Sequence, residues 1–268
     1  MSGEIMSSVQ QIVFGDDGSA AADVGWLWLN NHRWPRWRVT VVRAELPEWT
    51  QGPLDEDLTK LHPWEPPQSR EAFEEAGFAS VHHLTAVADP RIVLGSCRDA
   101  ALIVVGPRGP GLLKAVHLGS TTEWLLSRPP APLAIVKSAR PTQRVLAGMD
   151  GSAHAWRALR TLIAFPWLPE TQVTVLGVLD GRAEVPDACD AAAAELAGVA
   201  AAVDVRIVGT PVTASIHDVL DREDIDLVAL GTRGHTGLKH LVLGSTASHV
   251  VRAARCSVLV ATEHPAGN

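Results

Sequence analysis

Leu227-Val228-Ala229-Leu230-Gly231-Thr232-Arg233-Gly234 is a short apolar run that breaks into a two-glycine loop, and nine residues later Gly244-Ser245-Thr246 opens a second run of helical character. A buried strand is predicted over Leu227 to Leu230, because a brief apolar run bounded by glycine carries a turn signal at its end. Gly231 and Gly234 permit positive φ and close backbone approach, so the loop can turn its amides toward an anion. Ser245 and Thr246 stand where a helix begins, and the unpaired amides and macrodipole of a helix N-terminus favour a phosphate. Strand, glycine loop and helix start in succession make a nucleotide site the leading hypothesis.

The same pattern occurs earlier in the chain. Leu102-Ile103-Val104-Val105 runs into Gly106-Pro107-Arg108-Gly109, and after nine residues comes Gly119-Ser120-Thr121. One Gly-x-x-Gly is common by chance; a duplicated Gly-x-x-Gly-x9-Gly-Ser is not. A second pair of repeats supports the duplication: Gln11 to Phe14 leads into Gly15-Asp16-Asp17-Gly18-Ser19, and Val145 to Ala147 leads into Gly148-Met149-Asp150-Gly151-Ser152. The Asp17/Asp150 offset is 133 residues and the Gly106/Gly231 offset is 125, so the first half carries about eight extra residues, which fall in the Pro- and Trp-rich stretch 45–68.

Between these landmarks the chain alternates strand and helix. In the first half, strands are predicted over 11–14, 38–44, 80–87, 102–105 and 133–136. Helices are predicted from Ser19 to Asn31, from Arg70 to Gly77, from Asp89 to Cys97 with proline in its first turn, and from Ser120. In the second half, strands fall at 145–147, 172–178, 203–208, 227–230 and 257–261. Helices fall at 155–165, 188–202, 213–222 and 245–254. Strands alternating with helices imply parallel sheets covered on both faces, so the fold class is α/β with two tandem doubly wound, Rossmann-like domains. The domains are expected at 1–140 and 141–268, with Pro141-Thr142-Gln143 as a short linker.

Composition narrows the function. A chain of 268 residues suits two domains of about 130 each. A net charge of -7 and a pI near 5.9 argue against nucleic acid as the main partner. No apolar run approaches the roughly 18 residues of a membrane span, and Met1 to Gln11 lacks the pattern of a secretory signal, so no membrane role is expected. Cys97, Cys189 and Cys256 are scattered thiols that suit a reducing cytoplasm.

In open α/β sheets a ligand sits beyond the carboxyl ends of the strands where the winding reverses. If the first and fourth strands of each half are neighbours, Asp17 or Asp150 meets the glycine loop at that crevice, and a carboxylate there suits a ribose hydroxyl or an adenine amino edge. With these residues in view, both halves resemble the universal stress protein family, over nearly the full length, in its tandem form. The resemblance implies a five-stranded parallel sheet in each half, one ATP or other adenine nucleotide per half, and a homodimer. It implies that Gly231, Arg233, Gly234, Gly244, Ser245 and Thr246 hold phosphates and ribose while Gly148, Asp150 and Val178 frame the base. In the first half the matching residues are Gly106, Arg108, Gly109, Gly119, Ser120 and Thr121, with Gly15 and Asp17; Ala44 stands in place of the valine. AMP and cyclic AMP are alternatives to ATP, and Mg²⁺ or Mn²⁺ would be carried by the phosphates.

Other chemistries fit less well. Leu112 stands where a Walker lysine belongs, and Gly15-Asp16-Asp17-Gly18 does not match a dinucleotide fingerprint. His82 and His83 are neighbours on a strand and point to opposite faces, so they cannot share an ion. Ser152, with Asp150 and His154 close by, reads as a helix cap rather than a nucleophile. Six tryptophans between Trp26 and Trp64 read as packing in an enlarged first domain or as a partner surface. The function expected is a non-enzymatic, nucleotide-binding stress regulator acting on an unidentified protein partner, with a slow ATPase or adenylyl-transfer enzyme as the alternative. Pro107 and Pro110 in place of Thr232 and His235 remove two amides, which makes the second half the expected tighter site.

Overall fold

Strand β1 (Gln10–Gly15) is followed by α1 (Ala20–Asn30), β2 (Trp37–Ala44), a short β3 (His62–Pro63), β4 (Ser80–Ala86), α2 (Pro90–Gly95), β5 (Leu102–Val105), α3 (Ser120–Ser127) and β6 (Leu133–Ile135). The second half runs β7 (Arg144–Gly148), α4 (Ala153–Ile163), β8 (Gln172–Val178), α5 (Val185–Leu196), β9 (Ala202–Val208), α6 (Val212–Arg222), β10 (Leu227–Gly231), α7 (Ser245–Ala253) and β11 (Ser257–Ala261). These elements come from a computed structural model that describes residues 9–46, 60–65, 70, 74–108, 118–179, 182–209, 211–232 and 244–262. The central strands β5 and β11 are buried at every residue, without alternation, as strands covered on both faces must be.

Within each half the strand order reverses after the first strand. β1 pairs in parallel with both β2 and β5, and β7 with both β8 and β10. The two five-stranded parallel sheets are not separate, however. β6 pairs antiparallel with β11, with Val258 opposite Ile135 and Val260 opposite Leu133, giving one eleven-stranded sheet in the order β3-β4-β2-β1-β5-β6-β11-β10-β7-β8-β9. Each fifth strand thereby covers the edge the other would leave open.

Some predicted helix bounds shift. The alanine-rich segment expected to stay helical to Ala202 leaves the helix at Ala197, because Gly198 turns the chain at φ 78° and frees Ala202 to start β9. Of the helix expected from Arg70 to Gly77, Glu74–Ala76 is a 3-10 turn, and 71–73 lie outside the described residues. Gly95 lets the end of α2 pack on α3, since a Cβ there would lie 2.6 Å from the Trp124 ring.

Trp26, Trp28, Trp34 and Trp37 are packing residues, but they do not pack only within the first half; Trp49 lies outside the described residues. Trp28, Trp34 and Trp37 are buried and meet Phe165 and Trp167 of the second half, with Trp34–Phe165 centroids 5.6 Å apart and Trp28–Trp167 centroids 6.1 Å apart. Edge-to-face contacts of this kind add to the area they bury. His32 lies between Trp28 and Trp167, each centroid 4.6 Å away. The Thr142 amide donates to His32 Nε2 at 2.8 Å, so Nε2 is the acceptor and Nδ1 carries the proton toward the Trp28 carbonyl at 2.7 Å. A neutral imidazole thus holds the segment between the halves. Lys137 adds a second tie, its Nζ donating to the Val251 carbonyl at 2.7 Å and to that of Ala254, at the C-terminus of α7.

On the outer side of β1, Asp16 is buried and takes both Nε (2.7 Å) and Nη2 (3.0 Å) of buried Arg70. Burial alone would raise the Asp16 carboxyl; the Arg70 bonds, the Gly18 amide and the nearby guanidiniums hold it below its usual value instead. The second half has Met149 at this place.

Burial pushes the His32 pKa from 6.5 down to about 4. Its contribution is therefore complete above the unfolded pKa and lost as pH falls from 6.5 toward 4. Denaturant titrations at pH 7.5 and 5 should show a loss of about 2 kcal/mol from this group, and His32→Gln should flatten the pH dependence by that amount. An unchanged slope in the variant would refute it. Arg70→Met should cost about 3–5 kcal/mol by stranding the Asp16 carboxylate, whereas the pair Asp16→Met with Arg70→Met should recover most of that loss in the same urea titration.

Candidate functional site

The two reversal points set up two crevices of the same construction. In the first half β1 ends at Gly15 and β5 at Val105, side by side. Gly15 allows close approach, since a Cβ there would stand 2.9 Å from Leu94. Asp17 follows, exposed, with its carboxylate accepting the Ser19 amide at 3.0 Å; Gly18 turns the chain at φ 71°. Ser19 then caps α1 by accepting the Ala22 amide at 3.2 Å. The second half repeats the turn: Gly148, the half-buried Asp150 accepting the Ser152 amide at 3.0 Å, Gly151 at φ 79°, and Ser152 capping α4 through the Ala155 amide at 3.2 Å. Capping is what the sequence assigned to Ser152.

The glycine loops leave the neighbouring strand ends. Gly231 is required by packing: a Cβ there would come within 2.6 Å of the Ala155 amide nitrogen, so only glycine lets β10 lie against α4. Gly106 is similarly close to Ala21, at 3.0 Å. Both loops close with the same bond, from the Gly119 amide to the Pro107 carbonyl at 2.8 Å and from the Gly244 amide to the Thr232 carbonyl at 2.7 Å. This brings the start of α3 and of α7 back beside the ends of β5 and β10. Gly119 and Gly244 are the N-caps of those helices, and neither offers a side-chain cap, in contrast to Ser19 and Ser152. The first-turn amides of α3 and α7 thus have no side-chain cap among the described residues, and the positive end of the dipole lies behind them.

The remaining site residues fall around these points. Ser120 and Ser245 are exposed first residues of α3 and α7, and Thr121 and Thr246 are half-buried behind them. Arg108 is half-buried, and its carbonyl accepts Ser19 Oγ at 3.4 Å, tying the loop to the α1 cap. Val178 and Ala44 are both buried at the ends of β8 and β2. Gly109, Arg233 and Gly234 lie outside the described residues.

Several residues around the crevices were missed in the sequence. Arg43 occupies the register position that Gly177 holds in the second half; its Nε donates to Glu45 at 2.7 Å, its guanidinium lies 5.7 Å from the Trp64 ring centroid, and a Cβ on Gly18 would be 3.2 Å from its Nη2. Laying β2 over β8 in the repeat would have exposed it. In the second half Arg182 Nη1 stands 3.5 Å from Asp150 Oδ2, and His154 Nδ1 is 3.3 Å from the hydroxyls of both Thr232 and Thr262. The prolines of the first loop remove fewer phosphate donors than their sequence positions imply. The Thr232 amide donates to the Ala261 carbonyl at 2.8 Å, so it is not free for a phosphate and Pro107 forfeits no phosphate donor at that position. His83 packs between the Trp26 and Trp64 rings while His82 is exposed, on the other side of β4. Among the described residues no group of three or more His, Cys, Asp or Glu is placed to hold a metal, and no helix is long and apolar enough to cross a membrane.

Comparison with known proteins points one way. The model of the universal stress protein family matches residues 181–262. A universal stress protein of Mycobacterium tuberculosis is 28% identical over 295 residues, covering 94% of this chain and 96% of its own length. One from Synechocystis is 46% identical over 63 residues, 24% of this chain and 40% of that protein. Among solved structures, a universal stress protein from Archaeoglobus fulgidus superposes with a TM-score of 0.70 at 18% identity, over 96% of this chain and 100% of that one, which is a likeness of fold. Paired with the duplicated strand, glycine loop and helix described above, these matches support a tandem member of the universal stress protein family.

Proposed function

We propose that this protein is an adenine-nucleotide-binding stress-response regulator of the cytoplasm, with one nucleotide site in each of two domains, 1–140 and 141–268, and that it works as a homodimer. The observation that carries this reading is the uncapped helix start that each half sets beside a carboxylate. The N-termini of α3 and α7 are drawn back to the ends of β5 and β10, where Asp17 and Asp150 flank the same crevices. The amides, the dipole and Arg108 or Arg233 suit phosphates; the carboxylates suit the amino edge of a base or a ribose hydroxyl. ATP is the ligand of choice, with AMP and cyclic AMP as alternatives, and Mg²⁺ or Mn²⁺ would arrive on the phosphates. Occupancy rather than turnover is the proposed signal, read by a regulatory protein partner, because Ser152 serves as a cap and Asp150 is engaged with Arg182.

The second-half crevice is proposed as the tighter one. Arg43 crowds the Asp17–Gly18 turn from a strand position that is Gly177 in the second half, and Ala44 offers less surface to a base than Val178.

Calorimetry with ATP should therefore resolve two binding events per chain; no heat from ATP, AMP or cyclic AMP and no copurifying nucleotide would overturn the reading. Asp150→Ala should weaken the tighter event by roughly 10- to 100-fold and Asp17→Ala the weaker one, as loss of a hydrogen bond to a charged group predicts. If Asp17→Ala abolishes the tighter event, the ranking is reversed. Steady-state hydrolysis should lie far below the enzyme median of about 10 per second. Turnover near that rate, lost in Asp150→Ala, would favour the slow ATPase or adenylyl-transfer alternative.

A further inference from the structure

The eleven-stranded sheet ends differently on its two sides. On the first-half side β4 is covered by β3, whose His62 and Pro63 pair antiparallel with Thr85 and Leu84. On the second-half side β9 is the last strand, paired with β8 over all of Ala202–Val208 and, among the described residues, with no strand on its other edge. Such an edge presents a row of amides and carbonyls that another strand can complete. The edges of the two fifth strands are already consumed within the chain, where β6 pairs with β11.

The sequence of β9 is complementary to itself about Val205. Counting outward from that residue, Asp204 is matched by Arg206, Val203 by Ile207, and Ala202 by Val208. Set antiparallel to the same strand of a second copy, on a two-fold axis through Val205, the residues meet in those pairs. Opposite charges face each other on one side of the sheet, and aliphatic side chains on the other, because successive side chains alternate faces. Slipping the register by one pair in either direction sets Asp204 against Asp204 or Arg206 against Arg206, so like charges reject the neighbouring registers.

The burial pattern agrees with a strand that awaits a partner. Val203 and Val205 pack on the core, but Ile207, on the same side, is 38% exposed, and Leu179, whose amide donates to the Val208 carbonyl at 2.8 Å, is 41% exposed. Asp204 and Arg206 are paired along the strand at 2.7 Å, and Arg206 also bonds Glu223, which holds the guanidinium at the sheet edge. In the two-copy arrangement these side chains form a row of alternating sign across the axis.

We propose that two copies of this chain associate through antiparallel pairing of β9 with β9, centred on Val205. This rests on the homodimer reading above and specifies the surface. The test is sedimentation velocity of the full chain and of two charge-reversed variants, with circular dichroism to verify folding and ATP calorimetry to verify the crevices. The wild type should be a dimer. D204R and R206D should each raise the dimer dissociation constant by roughly tenfold or more, since each places like charges opposite one another twice. An equimolar mixture of D204R and R206D should dimerise again, and so should the double variant, because only then do positions 204 and 206 of opposing chains carry opposite charge. A wild-type dimer that both single variants leave intact, or folded variants that do not recombine in the mixture, would overturn the β9 interface while leaving a homodimer in place. A wild-type chain that stays monomeric at all accessible concentrations would overturn the homodimer reading along with it.

Discussion

Everything about the crevices depends on the parallel pairing of the first strand of each half with the fourth. β1 lies between β2 and β5, and β7 between β8 and β10, so the chain winds one way from the first strand and then the other. At that reversal the loops after the two strands diverge to opposite faces and leave an opening between them. The pairing is possible because the strands are buried on both faces and because glycine stands where they meet the helices. With a side chain at position 231, β10 could not approach α4, and the loop that starts there would be displaced.

The seam between the halves uses a different set of forces. Antiparallel backbone pairing of β6 with β11 makes the sheet continuous, and side chains then reinforce it from both faces. On one face the rings of Trp28, Trp34 and Trp37 meet Phe165 and Trp167; on the other Lys137 reaches the end of α7. His32 sits among the rings with its two nitrogens committed to Trp28 and Thr142, so the aromatic cluster also fixes the path of the chain as it passes between halves. This contact explains Trp28, Trp34 and Trp37 of the first half.

The duplication also acts as an internal control on the site. What is the same in both halves, such as the Gly119-to-Pro107 and Gly244-to-Thr232 closure and the uncapped starts of α3 and α7, belongs to the construction the two crevices share. What differs is local: Asp16 with Arg70 against Met149, and Arg43 against Gly177. The first half spends a buried ion pair where the second uses a thioether, and the guanidinium beside its turn comes from β2, whereas in the second half it is Arg182 that reaches Asp150.

The sequence alone determined the repeat, the strand and helix alternation, the doubly wound class and the position of the glycine loops, because these are local signals: short apolar runs, glycine punctuation and fixed spacing. It also located the caps at Ser19 and Ser152, since capping needs only the next few residues. Helix α5 was overextended because alanines favour helix on both sides of Gly198, and only the backbone at φ 78° shows where it stops. What tertiary structure decided depends on residues far apart in the chain. The β6–β11 junction, the rings of the first half against Trp167, the Arg70 bond to Asp16 and the commitment of the Thr232 amide to Ala261 each join segments separated by tens of residues or more. No periodicity or spacing encodes such a meeting; it follows from which sheet edges pair and which faces are buried together.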